Sequence, residues 1–68
     1  MQGQYSTAAL EEALTDAEGK AWASLAGYKF VMFGYWAGVW VHLNRLLGKP
    51  RPNPFRPLVK YARTRKGP

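Results

Sequence analysis

The sequence predicts a mainly α fold, and three observations carry that prediction. Residues 30–41, FVMFGYWAGVWV, hold no charge, five aromatics and two glycines four apart, with no turn signal inside them that would make paired strands. Upstream, Leu10, Ala13, Leu14 and Ala17 recur at helical spacing. Downstream, Gly48 and Pro50 are residues that end helices. The expected architecture is one long aromatic-rich helix over about 16–47, fused to or preceded by a short helix over 7–14. An extended Pro-rich basic tail with a short helical turn follows. The chain divides accordingly into a helical segment, 1–48, and a tail, 49–68.

Residues 1–5 read as a loose arm. Ser6 or Thr7 can cap the first turn, where Glu11 and Glu12 lie near the positive end of the helix dipole. Thr15-Asp16-Ala17-Glu18 has the form of a second capping box, so the helix either runs through it or restarts there. Gly19 weakens continuity by about 1 kcal/mol relative to alanine. From there the long helix runs to Leu47, with Arg45 in its last turn and Gly48 in the left-handed position beyond. After Gly48, prolines at 50, 52, 54 and 57 impose an extended, polyproline-like path. Pro57 can open one or two helical turns, with Leu58, Val59 and Tyr61 turned inward.

Charge is split by position. Glu11, Glu12, Asp16 and Glu18 precede the apolar run, whereas Arg45, Lys49, Arg51, Arg56, Lys60, Arg63, Arg65 and Lys66 follow it with no acid among them. With 68 residues and no cysteine, neither a large core nor a disulfide can hold the fold. One histidine makes no metal site, so neither metal nor cofactor is expected. Stability is expected from association or from a membrane. No secretory signal is legible, because the N-terminus lacks a basic region and the apolar run begins late.

Two surroundings suit the apolar run. Residues 24–43 would reach about 30 Å as a helix, enough to span a bilayer. Gly34 and Gly38 form a GxxxG, and the basic tail would face the cytosol. Against lipid, the uncharged run is twelve residues, where a span needs about 18. Its Tyr35, Trp36 and Trp40 would also sit at mid-depth rather than at the interface. On a helix, Trp22, Leu25, Phe33, Trp36, Trp40, Leu43 and Leu47 form one stripe, and Gly27, Val31, Gly34 and Gly38 lie opposite. Aromatics interleaved with glycines suit burial against protein better. The expected interface residues are Trp22, Phe33, Gly34, Trp36, Gly38, Trp40 and Phe55.

Two resemblances add to this. LTDAEGKAW (14–22), Gly38, His42 and Lys49-Pro50 together resemble bacterial light-harvesting β-polypeptides over residues 14–50. That resemblance implies an antenna polypeptide with His42 as pigment ligand. The chain departs from the family at Ser24, near where a second histidine is expected, and at Leu46 and Gly48, which replace tryptophans. GYKFVMFGYWAGVWVHLNRLLGKPRPNPF (27–55) is similar to small uncharacterised proteins of tailed phages and prophages. This implies a virion or host-membrane setting and assigns no residue a role.

Nothing supports catalysis: no nucleophile–base pair, phosphate loop or carboxylate pair near the histidine is present. The expected function is a non-enzymatic structural or accessory subunit of a larger assembly, such as a phage particle. Its partners would be other protein subunits, copies of itself included. Arg45, Lys49, Arg51, Arg56, Lys60 and Arg63 would contact an anionic surface, either nucleic acid or lipid. The alternatives are a single-pass membrane protein and a pigment-binding antenna.

Overall fold

A computed structural model describes residues 6–67; the arm expected at 1–5 lies outside them. Three helices form: α1 (Thr7–Ala26), α2 (Phe30–Asn44) and α3 (Arg56–Arg65). There is no strand among the described residues. The mainly α expectation holds at that level.

The Ser6 hydroxyl caps α1 by accepting from the Ala9 amide at 3.1 Å. The helix then runs through Thr15, Asp16 and Gly19 without restarting. A salt bridge between Lys20 and Asp16 (3.0 Å) and a bond from the Trp22 indole Nε1 to the Glu18 carboxylate (3.0 Å) span successive turns on the exposed side. Each is a small contribution at the surface.

The single helix expected over 16–47 is corrected: the chain breaks at Gly27–Lys29 and doubles back. The Lys29 amide donates to the Ser24 carbonyl (2.8 Å) and the Tyr28 amide to the Leu25 carbonyl (3.0 Å). This is the bonding of a Schellman cap, in which the residue beyond the C-cap turns left-handed. Tyr28 occupies that place, at φ 61°, one residue after the glycine that would do so without strain. Doubling back has a clear driving force. Leu10, Leu14, Ala17 and Ala21 make a narrow stripe on α1 that is buried against α2. A straight rod of about 48 Å would leave that stripe and the aromatics both wet.

α2 also ends earlier than expected. Its last helical residue is Asn44, and Gly48 has no positive φ. The Asn44 side chain explains this. Its Nδ2 donates to the Arg51 carbonyl (2.9 Å) and its Oδ1 accepts from the Arg51 amide (2.8 Å). The chain therefore turns at 45–50, tucks Leu47 inward and runs back along the hairpin. At its end Asn53 Oδ1 accepts from the Phe55 amide (2.8 Å), an Asx turn set by Asn-Pro.

Phe55 is therefore buried and closes the core. Its ring lies 4.9 Å from Trp22, 5.4 Å from Phe33 and 6.3 Å from Trp40, centroid to centroid. Leu47 and Phe55, on either side of the expected boundary at Gly48, share one core. α3 is a ten-residue helix rather than a short turn, with Pro57 in its first turn. It leaves the hairpin, with Leu58 half-buried and the rest exposed.

Candidate interaction surface

α2 has three sides, set by about 100° of rotation per residue. One carries Trp36, Trp40 and Leu43 and packs on α1. A second carries Phe33, Ala37 and Val41, with Gly38 at its edge, and faces Phe55, Leu58 and Val59 across an open apolar cleft. The third carries Val31, Gly34, Tyr35, Gly38 and His42 and faces outward.

On the α1 side the fit depends on small residues. Ala17 and Ala21 are fully buried, which lets the large Trp40 ring reach 2 % exposure. The Trp40 indole Nε1 is buried there without a hydrogen-bond partner. Lys20 lies over Trp36, 4.5 Å from the ring centre, and shields its outer edge.

The outward side is different. Val31 is 85 % exposed and Tyr35 58 %; Phe30, at the start of α2 in line with Ala37, is 61 % exposed, and at the hairpin tip Tyr28 is 81 % exposed. Tyr28 and Phe30 meet edge to face at 6.1 Å. A Cβ added to Gly34 or Gly38 would meet nothing within 4 Å. The chain's own packing therefore does not demand glycine at either place, although each costs about 1 kcal/mol against alanine. No charged side chain lies between Lys29 and His42. Val31, Tyr35 and the two glycines thus make an uncharged, exposed strip on this side of the helix.

The expected interface residues separate on this geometry. Trp40 and Phe55 are consumed in the chain's own core. Trp36 and Phe33 are half-buried against it, and Trp22 leans on Phe55 with 36 % exposure. Gly34 is exposed on the outward side, and Gly38 borders the cleft with Phe55 and Leu58. Val31 and Tyr35 belong to the outward side too and were not named as interface residues. The signal that could have found them is angular, since Val31, Gly34 and Gly38 were already grouped opposite the tryptophans.

The basic residues also separate. Arg51 is half-buried and shares a groove with Glu11, Glu12 and Asp16 of α1, so acids of the same chain surround it. Arg45 and Lys49 are exposed in the turn after α2. Arg56, Lys60, Arg63 and Arg65 stand exposed on α3, where no acid is present. Among the described residues the one ion pair is Lys20–Asp16. Asn44 and Asn53, which fix the return path, were missed by sequence reasoning; the Asn53-Pro54 dipeptide was a turn signal available to it.

His42 is exposed in the last turn of α2. No group of three or more His, Cys, Asp or Glu side chains converges among the described residues. The span expected at 24–43 is cut by the break at Gly27–Lys29, leaving α2 with 15 residues, or about 22 Å. No described helix is long and apolar enough to cross a membrane. No protein-family model, curated protein or solved structure matches the chain.

Proposed function

We propose that the chain is a non-enzymatic structural or accessory subunit that buries the outward face of α2 against neighbouring protein. The observation that carries this reading is the uncharged strip of Val31, Gly34, Tyr35 and Gly38, left exposed on a helix whose opposite side is covered by α1. Water-exposed Val and Tyr side chains on one side of a helix carry a free-energy cost that a neighbour removes. α3 is the electrostatic arm of the same proposal. Its cations have no acidic neighbours on their own helix, which suits contact with an anionic surface. The setting in a phage particle rests on the resemblance of residues 27–55 alone.

Fractionation of cells that carry the native gene tests the reading. The chain should sediment with a protein particle rather than with membrane vesicles. Val31→Asp should release it, because a carboxylate on that face cannot be buried unpaired. Lys66→Ala, at the far end of the chain, should leave it in place. Sedimentation with membranes, or equal incorporation of both variants, rejects the proposal.

A further inference from the structure

We infer that the cationic side of α3 binds the phosphate backbone of a duplex nucleic acid. The inference rests on the subunit reading above, whose electrostatic arm is α3, and names the anion that the arm contacts.

The placement of the cations is the first argument. Helical rotation sets Arg56, Lys60 and Arg63 within an arc of about 60°, so they form one ridge along α3. All three are exposed. The ends of the ridge lie about 10 Å apart along the helix axis. A recess lined by Arg56, Pro57 and Lys60 opens between the first two cations. A narrow, rigid line of positive charge complements a regular line of phosphates, and each strand of a duplex carries one per about 3.4 Å of axis. Arg56 and Arg63 add paired donors that match the oxygens of a phosphate.

The whereabouts of the acids is the second. The last acid in the sequence is Glu18, so neither α3 nor the segment leading to it can neutralise the ridge from within. Among the described residues the acids all lie on α1. There Glu11, Glu12 and Asp16 share their groove with Arg51, and Asp16 also pairs with Lys20. Arg56, Lys60 and Arg63 make no ion pair among the described residues. The chain thus satisfies the cation of its return segment and leaves the ridge for an anion from outside.

The apolar side of α3 decides between a nucleic acid and a membrane. A basic helix that lies on a bilayer sinks its apolar face among the acyl chains. On α3 the residues for that are Leu58, Val59 and Ala62, and they line the cleft towards Phe33, Ala37 and Val41 of α2. The ridge is centred about 120° away from them and holds no apolar side chain that could insert. Cations presented without a greasy partner suit a polyanion in water. A ridge without Asn, Gln or aromatic side chains contacts backbone rather than reading bases, so the binding is independent of sequence.

Fluorescence anisotropy of the full chain with a short labelled DNA duplex tests this, with circular dichroism to verify folding. The wild type should bind in the micromolar range at about 150 mM salt. The logarithm of its affinity should fall against that of salt with a slope of about −3, for three phosphates neutralised. Lys60→Gln should weaken binding roughly tenfold and flatten the slope by about one. Lys29→Gln removes the same charge from an exposed side chain outside α3. It should leave affinity within about twofold, because salt screens charges away from the contact. Binding weaker than about 100 μM at that salt, or equal losses in the two variants, overturns the inference. So does poly-glutamate that competes as well as unlabelled duplex, or a chain that floats with phosphatidylserine vesicles and leaves the duplex free. A chain that ignores the duplex yet still enters a particle in the fractionation above overturns the anion and leaves the subunit reading standing.

Discussion

The inner and outer sides of α2 are built from similar residues and meet opposite fates. Inside, Phe33, Trp36 and Trp40 are covered by α1 and by Phe55. Outside, Val31 and Tyr35 are bare. Hydrophobicity does not separate them, because the helix is apolar on every side. What separates them is the supply of cover. α1 offers one narrow stripe, in which Ala17 and Ala21 are small enough for a tryptophan to settle, and it can cover one side. The return segment offers a single ring, Phe55, and covers a second. Among the described residues nothing covers the third. A chain of this size runs out of core material before it runs out of apolar surface.

The sharpest way to break the comparison is to remove the inner side. Trp40→Ala should cost about 3–5 kcal/mol, as large buried aromatics do. For so small a domain that is most or all of the stability. The expected result is loss of the cooperative thermal transition by circular dichroism. The outer-side change Val31→Asp should leave the transition within a few degrees of the wild type and act on association alone. Equal melting losses in the two variants would mean that the two sides are not distinct.

A smaller effect sharpens the boundary between the hairpin and the return segment. Asn44→Ala removes two hydrogen bonds to Arg51 in a partly buried place, at a cost of about 2 kcal/mol. The loss should be local. Phe55 should come away from Trp22 and Trp40, while α1 and α2 stay paired by their own stripe. Amide hydrogen exchange reads this directly: protection at Arg51 and Phe55 should fall well before protection at Leu14 and Trp40. Uniform loss of protection would show instead that the plug and the hairpin fold as one unit.

Much of this was legible in the sequence and some was not, for physical reasons. Ser6, the α1 stripe and the opposition of Val31, Gly34 and Gly38 to the tryptophans follow from periodicity, which depends only on helical geometry. The hairpin did not show, because its turn, Gly27-Tyr28-Lys29, sits inside an apolar stretch and sets a tyrosine where glycine is expected. Tertiary burial chose the turn and overrode the local preference. Trp40 and Phe55 were read as exposed to partners for the same reason: a rod has no inside, and only the doubled chain makes one. Asn44 stayed invisible because its partner is the backbone of a residue seven positions on, a contact that no residue type encodes.

Tyr28 gives the smallest and most diagnostic effect. A left-handed conformation costs a non-glycine residue about 1–2 kcal/mol, and Tyr28 holds φ 61° with 81 % of its surface exposed. Its one aromatic contact, with Phe30, lies at the rim of the bare face. Glycine relieves the strain but brings extra freedom in the unfolded chain, which returns part of the gain. Tyr28→Gly should therefore stabilise the isolated chain by no more than about 1 kcal/mol, raising the midpoint of thermal unfolding by several degrees at dilute concentration. The same substitution removes an aromatic from the rim of that face. At concentrations where neighbours cover α2, the gain should shrink or reverse. A tyrosine kept at a glycine position is thus expected to trade stability of the free hairpin for contact on its uncovered side. An equal gain at every concentration, with or without partners, would leave the strained tyrosine without a role in that contact.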